Sequence, residues 1–240
     1  MARGSSTLEI LRFEYERTWT APYLGLILAL LIVSSPAVAT PLNVEESALD
    51  LVFFSMGSVR PIIYNLITIV AFTNSFGMDI EQDVMMGEFT LPIKKGTFFV
   101  LKFLAIFLTI ILMDLVSASF SFWLVSASAP LIPIVSIVLV DAITSLLFIS
   151  IGISLSVMLR SRFGAAIVSL AIYFLEEIVQ ANLSLQTNSA SMSPSLIILK
   201  LLLSNEVTIY TWPILLIHVG SASALLVFAY FFLVEVLQLD

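Results

Sequence analysis

Six runs of eighteen or more mostly apolar residues divide the chain, and nothing else in it restricts the fold as much. They lie at about Pro22–Ala39, Val59–Gly77, Thr97–Val125, Leu131–Met158, Gly164–Asn182 and Trp212–Val234. A hydrocarbon core about 30 Å thick is crossed by roughly 20 helical residues. Inside it every backbone N–H and C=O needs a partner within the protein, which a helix supplies locally. Composition agrees: 60% of the 240 residues are hydrophobic and 11% charged, where soluble domains carry about 25% charged residues. The sequence is therefore read as an all-α integral membrane protein, six transmembrane helices forming a single transmembrane domain over residues 1–240. The third and fourth runs are long enough to tilt.

Lysine and arginine placement gives the orientation. Arg3, Arg12 and Arg17 precede the first run, Lys94 and Lys95 separate the second from the third, and Arg160 and Arg162 separate the fourth from the fifth. These segments are expected on the cytoplasmic side of the cell membrane. Glu45, Glu46, Asp50 and Glu206 then lie outside, with Lys200, and six spans place both termini in the cytoplasm. Ala37-Val38-Ala39 has the small-x-small form of a signal-peptidase site. The segment ahead of it, with Glu9, Glu14 and Glu16 among its arginines, reads better as an amphipathic interfacial helix over residues 1–21. Ser6 to Glu9 fits a capping box, Leu8, Leu11, Tyr15 and Trp19 form one apolar stripe, and Glu9 with Arg12 and Glu14 with Arg17 are spaced as ion pairs.

Two connections stand out. The outer segment Leu183–Thr211 holds an apolar stretch, SLIILKLLLS, too short to cross, which predicts a short outer helix starting near Pro194. The cytoplasmic segment DIEQDVMMGEFTLPIKKGTFFVLK, residues 79–102, predicts a short protruding helix stopped by Pro92. Its acids Asp79, Glu81, Asp83 and Glu88 are expected to be exposed, opposite an apolar side of Val84, Met85, Met86 and Phe89. Lys94 and Lys95 suit anionic headgroups. Lys102 is expected to snorkel back to the same interface.

Charges within the spans are site candidates by default, because each is costly against lipid. At 1.5 Å per residue, Arg60, Asp114, Asp141, Glu176 and Glu177 all fall in the middle or outer half of the bilayer. They either pair, Arg60 with Asp114 or with a Glu176 or Glu177 carboxylate, or line a polar path. Gly152, Ser156, Ser117 and Ser121 are expected on packing faces. There is no cysteine, so no disulfide or thiolate metal site exists, and the single histidine, His218, is expected to pack rather than to bind metal.

The order of acidic run, Met85-Met86, Leu91-Pro92-Ile93, Lys95, an aromatic-aliphatic run and Lys102 resembles the loop between the second and third spans of type-2 ABC exporter permeases. Gly152-Ile153-Ser154-Leu155-Ser156, then Arg160-Ser161-Arg162 and Ala165-Ala166, resembles that family's junction of spans four and five. Asp83-Val84, Glu88 and Lys94 depart from the family pattern, which has Gly-Thr, a leucine and a small polar residue there. The resemblance implies a permease subunit of an ATP-driven exporter, without catalysis of its own. In that family the loop is a coupling helix seated in a groove of a separate ATP-binding subunit. Glu81, Asp83, Met86, Glu88, Phe89 and Pro92 would make that contact here. Two ATPase copies binding Mg-ATP and a second permease subunit are the implied partners. The chain itself has no GxxxxGK[ST] phosphate loop, and no nucleic-acid partner is expected.

Other classes fit less well. Glu176-Glu177 resembles the glutamate pair of one intramembrane protease family, but Ala181 stands where that family has arginine and the further histidines are missing. A rhomboid-type serine site lacks its Gly-x-Ser-Gly elbow. An ion- or proton-coupled secondary transporter would use Asp114, Asp141 or Glu176 as carriers, but no inverted repeat is visible. A non-transporting membrane scaffold or immunity factor is the remaining alternative.

Overall fold

The computed structural model describes residues 12, 16, 19, 21–33, 59–81, 95–126, 131–187, 194–204 and 210–236. Described residues are helical apart from short turns, with no strand among them. In chain order the helices are α1 (Ala21–Val33), α2 (Arg60–Glu81), α3 (Lys95–Ser126), α4 (Leu131–Leu159), α5 (Arg162–Thr187), α6 (Pro194–Ser204), α7 (Thr211–Leu215) and α8 (Ala222–Phe231). π-helical turns at Leu216–Ser221 and Phe232–Val236 join α7 to α8 and extend it. Five helical stretches among the described residues are long and apolar enough to cross a membrane: α2, α3, α4, α5 and the continuous Thr211–Val234. The chain is thus multi-pass, with spans close to those read from sequence. Of the first expected span, only α1 is described.

Proline marks where these helices begin. Pro22, Pro61, Pro133, Pro194 and Pro213 each lie within the first three residues of their helix, where a missing N–H removes no intrahelical bond and φ is already helical. Between α4 and α5 the chain turns over two residues. Arg160 takes a left-handed φ of 48°, and Ser161 caps α5 by accepting the Gly164 N–H at 3.2 Å.

The least apolar of these helices is one of the two most enclosed. Arg60, Asn65, Thr68, Thr73, Ser75 and Asp79 of α2 are all buried, and α2 with α4 makes the centre of the bundle. Two-thirds or more of their central residues are inside, against 17–28% in the other spans. A polar helix in lipid lowers its energy by turning those groups toward other helices. Gly152 of α4 permits the close approach: a Cβ there would stand 2.9 Å from Thr73 Cγ2. Gly77 does the same where α2 meets the start of α5, since a Cβ would lie 2.6 Å from Arg162 Cα. Phe72, Phe76, Phe99, Phe103 and Tyr230 form an aromatic chain through the core between α2, α3 and α8. At 11 residues α6 cannot span. Its Ile198 and Leu199 pack with Phe122 of α3 and Ile134 and Ile137 of α4, covering that end of the bundle.

Two expectations about polar residues are corrected. Asp79 is not on an exposed knob: α2 continues through Glu81, and Asp79 is 1% exposed in its last turns. Lys102 does not snorkel to the headgroups but is 1% exposed and paired with Asp79, because a carboxylate within reach compensates the ammonium without stretching its stem to water. In the leader, Arg12 pairs with Glu16 at 2.7 Å, one turn on, while the partners expected from sequence, Glu9 for Arg12 and Glu14 for Arg17, lie outside the described residues. So do Ala37-Val38-Ala39 and the outer segment at 40–50.

The glycine contacts give a direct test. Gly77→Ala should lower stability by about 1–3 kcal/mol, because the added methyl overlaps backbone that cannot move away cheaply. Gly25→Ala, with nothing within 4 Å of the new Cβ, should be neutral or slightly stabilising. Thermal unfolding of both variants in the same detergent checks the contrast.

Candidate functional site

Three helices bring charge to one point in the membrane. Arg60, in the first turn of α2, pairs through Nη2 with Asp114 of α3, donates through Nη1 to Ser117 at 3.3 Å, and places Nε 3.5 Å from Asp141 of α4. Arg60 is 1% exposed and both aspartates 0%. The spacing is helical on every strand of this hub: Tyr64 lies one turn below Arg60, Ser117 three residues from Asp114, and Ser145 four residues from Asp141. Tyr64 is fully buried beside both aspartates and Ser145. Of the pairings left open by the sequence, Arg60 takes the aspartates and leaves the glutamates to others.

Glu176 and Glu177 of α5 belong to a second cluster. Tyr173 donates to Glu177 at 2.9 Å, and Gln180 donates to Glu176 at 2.7 Å. His218 comes from the π-helical turn after α7. Its Nδ1 lies 3.2 Å from the Thr144 carbonyl, which requires Nδ1 to carry a proton and donate, and its Nε2 faces Glu176 at 3.9 Å. The extra residue of a π turn rotates the side chains that follow it, and here the turn delivers His218 against α4. His218 is thus the packed, hydrogen-bonded histidine expected. Glu176 keeps 28% of its side chain exposed, on a helix whose neighbouring Phe174, Leu175 and Ile178 point away from the bundle.

At the end of the bundle opposite the hub two ion pairs join three helices. Asp79 of α2 pairs with Lys102 of α3, whose ammonium also lies 5.4 Å from the centre of the Phe76 ring. Two residues on, Glu81 accepts the backbone N–H of Arg162 at 2.8 Å and approaches its Nε at 3.4 Å. The carboxylate therefore tops the N-terminus of α5, where an anion is favoured. Glu81, expected in the protruding loop, instead closes α2 immediately before it. Asp83, Met86, Glu88, Phe89 and Pro92 lie outside the described residues.

Sequence reading missed Tyr64, Asn65, Tyr173 and Gln180. They carry no charge, and only the one-turn spacing of Tyr64 from Arg60, Tyr173 from Glu177 and Gln180 from Glu176 would have marked three of them. Among the described residues no group of three or more His, Cys, Asp or Glu could hold a metal ion. Compared with known proteins, the chain matches no family model, no curated protein and no solved structure.

Breaking the clasp on one side should be far worse than replacing it. Lys102→Ala takes the ammonium away from the buried Asp79 carboxylate and should cost about 3–5 kcal/mol, whereas Asp79→Leu combined with Lys102→Met should be close to neutral. Thermal unfolding in detergent of the single and double variants checks this. A double variant as unstable as the single one would mean that the pair does more than offset its own burial.

Proposed function

We propose that this chain is the permease subunit of an ABC exporter, working as a pair of such subunits with two separate ATP-binding subunits. The observation that carries the reading is the position of the clasp. Asp79–Lys102 and Glu81–Arg162 tie α2, α3 and α5 together directly behind the segment 82–94, the stretch whose motif order resembles the coupling loop of that family. Force on such a loop would reach three helices at once. The multi-pass helical architecture and the short outer helix before the last span support the same reading.

The exposed edge of α5 supports a second permease subunit. Glu176 lies about one turn before the end of the candidate span Arg162–Gln180, on a helix with only 17% of its central residues covered, and a carboxylate facing lipid there is costly. A second subunit, or a watered path between two subunits, would cover this edge. In the proposed cycle Mg-ATP closes the ATPases, the loop transmits the movement, and a small apolar or amphipathic substrate (a peptide, antimicrobial, lipid or drug) leaves on the outer side near α6.

Affinity purification from native membranes tests this. It should recover an ATP-binding cassette subunit with the chain, and Asp83→Lys with Glu88→Lys should cut that recovery about tenfold or more, equivalent to about 1.4 kcal/mol or more, while membrane insertion is kept. Substrate export that persists without ATP hydrolysis but collapses with the proton or sodium gradient would instead favour an ion-coupled secondary transporter.

A further inference from the structure

The hub formed by Arg60, Asp114 and Asp141 has two carboxyl groups for one guanidinium, all 1% exposed or less. With both aspartates ionised it would carry a net charge of −1 inside the hydrocarbon region, where an uncompensated ion costs several kcal/mol at least. Among the described residues, the groups facing it add no cation. They are Tyr64 from α2, Ser117 from α3 and Ser145 from α4, all neutral. Local geometry gives the same imbalance. Asp114 uses Oδ1 on Arg60 and leaves Oδ2 without a hydrogen bond, and neither Asp141 oxygen has one beyond the 3.5 Å approach of Arg60 Nε. Both aspartates gather on the same guanidinium, Asp114 as its hydrogen-bonded partner and Asp141 at 3.5 Å from Nε, and two like charges on one cation repel unless one of them is protonated. The Tyr64 hydroxyl, beside both aspartates and Ser145, is fully buried as well.

We infer that this hub is a binding site for one proton, held on Asp141, the carboxyl without a hydrogen bond to Arg60, so that the cluster sits in the membrane as a neutral unit. The inventory balances: Arg60 contributes +1, Asp114 contributes −1, and protonated Asp141 contributes none. A proton fits better than a metal ion, because the hub offers two acidic ligands and, among the described residues, no group of three or more His, Cys, Asp or Glu could hold a metal. This inference stands on the hub alone and does not depend on the exporter reading.

Infrared spectroscopy of the full chain in lipid nanodiscs at neutral pH tests it. The spectrum should contain a protonated-carboxyl C=O band that moves down in D₂O and moves again when aspartate is ¹³C-labelled at its side-chain carboxyl. The band should vanish in Asp141→Asn and in Asp114→Asn, each of which leaves one carboxylate for one guanidinium. It should persist in Glu176→Gln with Glu177→Gln and roughly double in Arg60→Gln. A wild-type spectrum with no such band, or a band unmoved by labelled aspartate, overturns the inference without any variant having to fold. Survival of the band in both aspartate variants overturns it as well.

Discussion

A charged group in hydrocarbon must find compensation inside the protein, and the arrangement of this bundle follows from that requirement. α2 carries Arg60 in its first turn and Asp79 and Glu81 in its last, so it could not face lipid along either half. Each of these groups meets an opposite charge on another helix: Asp114 and Asp141 above, Lys102 and Arg162 below. The hydrophobic effect does little to choose between helix pairs in a membrane, where tails are as apolar as leucine. Buried charge and close packing at Gly77 and Gly152 do the choosing instead. α2 and α4 become the centre because they hold the groups that most need enclosure.

The same pairs give the bundle its mechanical character. The clasp at one end and the hub at the other fix α2 to its neighbours at two heights. Tyr64, Tyr173 and His218 continue the polar connection across to α5 and the last span. The apolar outer faces of α3, α5 and α8 carry no such ties, which suits them to slide against lipid or a second subunit.

Much of this was legible in the sequence. The span positions came from apolar runs of the right length, and the short outer helix from a run too short to cross. The end of α2 was not: Asp79 and Glu81 look like loop residues because charge in one dimension reads as contact with water. Their partners, Lys102 and Arg162, lie 23 and 81 residues away, and only the folded arrangement shows that helix continues under them. Lys102 was misread for the same reason, since a lysine near a span end has two solutions, an interface or an acid, and only the second was present. The intramembrane pairing of Arg60 was anticipated as one option. Which carboxylate it takes depends on helix rotation, and apolar periodicity is weak in spans this uniformly hydrophobic.

The chain has no cysteine, so pairs of spin labels can be placed without background, at Thr97→Cys on α3 and Phe163→Cys on α5, both on exposed positions beside the clasp. The most direct test is the distance between them by pulsed electron resonance, measured in nanodiscs with the proposed ATPase partner, before and after Mg-ATP. The account predicts that the distance within one chain stays fixed while the distance between Phe163→Cys labels on two subunits changes. A change within the chain, as large as that between chains, would show that α3 and α5 move independently and would contradict the clasp as the unit through which force is carried.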